Sequence, residues 1–214
     1  MVWPGTVQAQ LGGLVDTTTS TVTNTTSSTT STLTDTTSTL TGTIGTVLGT
    51  TTVLSGTGTL VAGTSDALQA SELTAGVPSL LTGEVLHAVT IGYPDQIDSE
   101  ASLAALALNV AGINIGADFV MARALAAINA TPIGTSNIDS LSINGVPFSV
   151  TGEPNQMISV AGGVVVLNEQ QTLPDGTLVV NALHAIVSGV ADVVVGSAMA
   201  GYSGGQASAV KASY

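Results

Sequence analysis

From residue 84 to residue 200 the chain is a succession of short apolar runs punctuated by Gly, Pro and Asn. That punctuation limits the fold more than any other feature. Ser140-Leu141-Ser142-Ile143 is followed by Asn144-Gly145 and then by Val146-Pro147-Phe148-Ser149-Val150. An Asn-Gly pair between alternating segments is the signature of a type I′ hairpin. A second hairpin is predicted from residues 163–169, through Pro174-Asp175-Gly176, to residues 177–187. A last strand is predicted over residues 191–200. Three earlier apolar stretches cover residues 84–92, 101–110 and 117–128. The last two are rich in Ala, and propensity alone would also fit them to helices. Short strands at this spacing predict an all-β domain, a β-sandwich or jelly-roll, over residues 66–205, with a polar tail at 206–214.

Composition changes near residue 65. Between residues 17 and 52 roughly half the positions are Thr, far above an ordinary background. Leu33, Leu40, Val47, Leu54 and Val61 recur every seven residues, with Ile44 between two of them. A heptad of apolar residues is a coiled-coil sign. Thr, however, is a poor helix former and a good strand former. Thr39-Leu40-Thr41-Gly42-Thr43-Ile44 alternates with period two. The reading adopted is a Thr-rich extended N-terminal arm, residues 1–65, whose Leu33, Leu40, Ile44, Val47 and Leu54 form a subunit interface. The competing readings are a helical coiled coil and a glycosylated stalk. Fully extended, about 36 residues reach on the order of 120 Å, while a domain of this size has a radius of gyration near ~15 Å. An ordered arm would therefore wrap its own domain or run onto a neighbour as an added strand.

Charge is scarce and one-sided. The 214 residues carry two basic and fourteen acidic side chains, a net charge of −12. A basic patch cannot be assembled from two cations, which argues against nucleic acid as a partner. The absence of cysteine excludes disulfides, thiol nucleophiles and Cys-ligated zinc. The first ten residues have neither a basic nor an apolar region of the signal-peptide kind. The apolar stretch at 103–115 is broken by Asn109 and Asn114 and is too short for a membrane-spanning helix.

Four segments carry a family resemblance. They are Ile143-Asn144-Gly145-Val146-Pro147-Phe148-Ser149-Val150, Val166-Leu167-Asn168-Glu169-Gln170, Val180-Asn181-Ala182-Leu183-His184 and Asp192-Val193-Val194-Val195-Gly196-Ser197-Ala198. In this order they resemble the choice-of-anchor P family of secreted bacterial surface proteins, over residues 84–201. Met199 stands where that family usually carries His. The resemblance implies a β-rich, exported protein of the cell surface or extracellular space. It brings no catalytic residue.

Carboxylates supply the candidate ligand site. Tyr93-Pro94-Asp95-Gln96-Ile97-Asp98-Ser99-Glu100 places three acids within six residues. Calcium takes six to eight oxygens from carboxylates and loop carbonyls. Asp98 and Glu100 would face the same way on an extended chain. Asp95, Asp98 and Glu100 are thus candidate Ca2+ ligands, against the alternative of a solvated acidic loop. His87 and His184 lie inside apolar runs, and no G-x-S-x-G elbow is present, so no catalytic residue is assigned and the chain is read as a non-enzyme. Arg123 is expected either to pair with a carboxylate or to face outward.

Together these features predict a structural subunit of an extracellular or cell-surface filament, a homopolymer joined by strand addition through the arm. The chain itself is the expected partner, with the cell envelope or a host or neighbouring cell surface as further candidates. A monomeric adhesive module on a glycosylated stalk is the alternative. Ice binding by Thr ladders is a remote third, because the Thr spacing is irregular.

Overall fold

The computed structural model describes residues 65–203 together with 46–47, 50–51, 56–57, 60, 206–208 and 212–213. The described residues contain strands and no helix. Two antiparallel sheets pack face to face as a β-sandwich.

One sheet runs β3 (Asp66–Val77), β4 (Leu81–Gly92), β5 (Gln96–Val110), β6 (Ile113–Ala127), β8 (Ser142–Ile143) and β9 (Val146–Pro147), with β7 (Ile133–Asp139) also on β6. The other runs β10 (Gln156–Val160), β11 (Gly163–Thr172), β12 (Leu178–Val187), β13 (Ala191–Ser203), β1 (Thr46–Val47) and β2 (Thr50–Thr51). In this second sheet β14 (Gln206–Ser208) and β15 (Ala212–Ser213) also pair with β13. Most neighbours are consecutive in the chain, as expected where tight turns join antiparallel strands.

The expected hairpins form. Ile143 pairs with Val146 across Asn144-Gly145, whose φ angles of 52° and 76° are both positive, as a type I′ turn demands. β11 and β12 pair around Pro174-Asp175-Gly176, where the Asp175 carboxylate accepts the Thr177 N–H at 2.9 Å. The run 178–187 is apolar almost throughout because β12 is buried on both faces.

The two Ala-rich stretches are strands, not helices. Their pattern comes from a row of irregular pairs that crosses the sheet. Leu73, Val85, Ala105 and Asp118 are passed over in the pairing register, and Val85 and Ala105 have φ of 48° and 49°. Across this row the core-facing side chains of β5 and β6 switch from one alternating set to the other. Buried residues then fall three apart, Leu103 with Leu106 and Ala117 with Val120, which is a helical spacing in the sequence. The second sheet has an equivalent row at Asn168, Ala182 and Gly196. The residues around the two rows also match. Glu84-Val85-Leu86-His87-Ala88-Val89 on β4 corresponds to Asn181-Ala182-Leu183-His184-Ala185-Ile186 on β12, with the bulge two residues before each histidine.

β12 and β13 pack onto β5, β6 and β7. Ala101, Ala122, Ala124, Ala182, Ala198 and Ala200 are fully buried. Leu60 also reaches this core. Small side chains let the sheets approach closely, and Gly134 on β7 is one close point of this contact. A Cβ there would stand 2.5 Å from Val180 Cγ2 and 3.0 Å from the Gln170 side chain. We predict that Gly134→Ala destabilises the domain by about 1–3 kcal/mol through overpacking. Chemical denaturation checks this: a fall in the midpoint with an unchanged m-value is expected, and an unaltered midpoint would contradict it.

Candidate functional site

Asp98 and Glu100 occupy one face of β5, as their spacing requires, and both are half-buried. Asp95 lies instead in the turn before β5, where its carbonyl accepts the Ile128 N–H at 2.9 Å. Arg123 on β6 stands directly across from Glu100. Its Nε donates to Asp98 Oδ1 at 2.9 Å, and its Nη2 donates to Asp98 Oδ2. The bidentate pair raises the guanidinium pKa through the Asp98 hydrogen bond and charge, with Glu100 adding to it. Any cation at Asp98 would have to displace this arginine. Among the described residues no three His, Asp or Glu side chains converge as a metal site would need.

The Arg123 side chain is about half exposed, so the contribution of its pair is small. We predict that Arg123→Met costs less than about 1 kcal/mol at low salt. Thermal melts in 1 M NaCl should show a smaller difference from the parent, because surface pairs are screened.

A second polar cluster, which the sequence reading did not assemble, lies on β11, β12 and β13. The register puts Glu169, Asn181 and Ser197 side by side across the three strands. Ser197 Oγ donates to Asn181 Oδ1 at 2.7 Å, and Asn181 Nδ2 donates to Glu169 Oε2 at 2.6 Å. Nδ1 of His184 is 2.8 Å from the same Glu169 oxygen, and its Nε2 is 2.6 Å from Asp192 Oδ1. An imidazole with a carboxylate at each nitrogen is satisfied on both sides only as the imidazolium, which donates twice. Val166 and Val194 flank His184 on the neighbouring strands and are buried with it.

Burial alone would lower the His184 pKa, yet the two carboxylates hold it above its ordinary 6.5. Burial would raise the Glu169 pKa, but hydrogen bonds from His184 and Asn181 hold it below its ordinary 4.5. The signs follow by linkage. The His184 contribution is complete below pH 6.5 and fades as pH rises through the higher folded value. The Glu169 contribution is complete above pH 4.5 and fades as pH falls through the lower folded value. Both are in force between them. We predict that the melting temperature falls on going from pH 6 to pH 9, and that His184→Gln removes much of that fall. At pH 6 the substitution should cost roughly 1–3 kcal/mol, since it removes two charge-assisted hydrogen bonds made by the buried imidazole. Calorimetry of both proteins across this range is the check, and parallel pH profiles would contradict the assignment.

The five residues expected at a subunit interface divide differently. Leu33, Leu40, Ile44 and Leu54 lie outside the described residues. Val47 is in β1, where its backbone pairs with Ala191 on one side and Thr50 on the other. β1 lies on the edge of β13 away from β12, since Ala191 and Asp192 also pair with Val187 and Ile186. β15 meets the same edge at Ser197 and Ala198. Between these two patches Val193, Val194, Val195 and Gly196 have no described partner on that side. In the other sheet the matching strand, β5, is paired along its length by β6. The outer side of β13, where β1 and β15 attach, is the candidate interaction site.

No helix among the described residues is long and apolar enough to cross a membrane. Comparison with known proteins finds no matching family model, no matching curated protein and no matching solved structure.

Proposed function

We propose that this protein is a structural subunit that polymerises outside the cell, each copy adding strand from its N-terminal arm to a neighbour. The observation that carries this reading is the outer side of β13, a 13-residue strand on which the described residues place the short strands β1 and β15. A protein with one lysine lacks a usual guard against edge-to-edge pairing. The uncharged stretch Gly42-Thr43-Ile44-Gly45-Thr46-Val47 brings no like charge to Asp192. The resemblance of residues 84–201 to a secreted surface family supports the extracellular setting.

Removing residues 1–45 tests the reading while keeping β1 and the core residue Leu60. The full chain is expected to form fibres visible by negative-stain microscopy, and the truncated chain to stay monomeric in analytical ultracentrifugation. Fibres of the truncated chain would show that the arm is dispensable. Repeating the microscopy with a calcium chelator reports whether Ca2+ at Asp95, Asp98 and Glu100 contributes to assembly.

A further inference from the structure

Asn144 is followed by Gly145, and no other asparagine in the sequence precedes a glycine. That pair has a chemistry of its own besides its use as a turn. The main-chain nitrogen after an asparagine can attack the side-chain amide carbon. Glycine hinders this attack least, because it carries no Cβ. Here Gly145 N would form a bond to Asn144 Cγ while the bond from Cγ to Nδ2 breaks. The Nδ2 amide leaves as ammonia, taking the proton from Gly145 N, and a cyclic succinimide remains. Water then opens the ring at one of its two carbonyls. Opening at Cγ leaves aspartate. Opening at the main-chain carbonyl leaves isoaspartate, in which the main chain runs through the former side chain.

The fold controls the first step. Ring closure brings Gly145 N round to eclipse the Asn144 Cα–Cβ bond, which needs an Asn144 ψ near ~−120°, the value of a type II′ turn. The φ angles of 52° at Asn144 and 76° at Gly145, with Ile143 paired to Val146, belong to a type I′ turn. In that turn ψ of the first central residue is near ~+30°, so Gly145 N stands roughly 150° from the attacking position. Asn114 on β6 holds Asn144 there twice. Asn144 N–H donates to Asn114 O at 2.7 Å, and Asn114 N–H donates to Asn144 Oδ1 at 2.9 Å. The second bond fixes the amide whose carbon would be attacked. Both turn residues are exposed, and nothing stands within 4 Å of a Cβ added at Gly145. Water therefore has access, and the turn geometry is what withholds the reaction.

We infer that Asn144 is a deamidation site held shut by the closed β8–β9 hairpin, and that its conversion permanently records opening of that hairpin. Isoaspartate adds a main-chain carbon to the two-residue loop, so the pair of Ile143 with Val146 cannot close as before. Aspartate, by contrast, keeps an oxygen for Asn114 N–H.

Peptide mapping by mass spectrometry tests this on the full chain, after matched incubations at mildly alkaline pH in buffer and in guanidinium. Conversion at Asn144 is expected to be roughly tenfold or more slower in buffer, because it waits for local opening. Val146→Gly, at an exposed strand position, weakens the pairing of β8 with β9. It is expected to raise the rate in buffer several-fold and to leave the rate in guanidinium unchanged. Val146→Thr keeps a strand former and should stay close to the parent. Isoaspartate chains formed in guanidinium and refolded should lose hydrogen-exchange protection at Asn114 N–H, while an Asn144→Asp chain retains it. Equal rates in buffer and guanidinium would overturn the inference, since the hairpin would then not control the reaction. So would a Val146→Gly rate in buffer no faster than the parent's, conversion in guanidinium no faster at Asn144 than at the other asparagines, or full protection of Asn114 N–H in the isoaspartate chains.

Discussion

Close approach of two sheets over alanine and glycine is the constraint on which the rest of the structure depends. β12 and β13 lie against β5 and β6 with Ala101, Ala122, Ala182 and Ala198 at the contact. Small side chains give little apolar area each, so many backbone pairs and long strands must share the work. β5 and β6 each extend over 15 residues. Strands that long twist and would lose contact with a facing sheet if perfectly regular. The irregular rows at Val85–Ala105–Asp118 and Asn168–Ala182–Gly196 interrupt the two ladders, and on β5 and β6 the first row resets which side chains face inward.

Those rows also decide what was legible in the sequence. The Asn144-Gly145 and Pro174-Asp175-Gly176 turns were plain, because turn chemistry is local. The continuous apolar run of β12 was plain too, since a strand covered on both faces has no polar alternation to read. The 101–110 and 117–128 stretches were ambiguous because a bulge turns spacing of two into spacing of three. β3 was not foreseen at all. Asp66–Val77 is built of Ala, Leu, Gln and Glu, which favour helix, and its pairing with β4 overrides that preference.

Candidate sites followed the same division. The shared face of Asp98 and Glu100 was readable from their separation by two. That Arg123 lies between β5's acids was not, because it depends on the register of β5 against β6. The His184 cluster was further out of reach. Glu169, Asn181, His184, Asp192 and Ser197 are spread over three strands, and only the ladder brings them together. Charge in this protein is thus sparse and placed. The two described positions where cation meets carboxylate, Arg123 and His184, each tie adjacent strands of a sheet rather than joining the two sheets.

The attachment of β1 and β15 to one strand has a mechanical consequence. Both chain-terminal pieces hold the same edge of β13, one at Ala191–Asp192 and the other at Ser197–Ala198. A pull on either end is received by β13 along its own direction. The described pairs of β1 and of β15 with β13 are then loaded in shear, where they must break together, instead of being peeled one at a time. Survival under such a load is a matter of how slowly that step occurs, not of equilibrium stability. Under tension between these two attachments the load falls on the β1 and β15 pairs and on β13 itself, while β12 and the apolar core lie off its path.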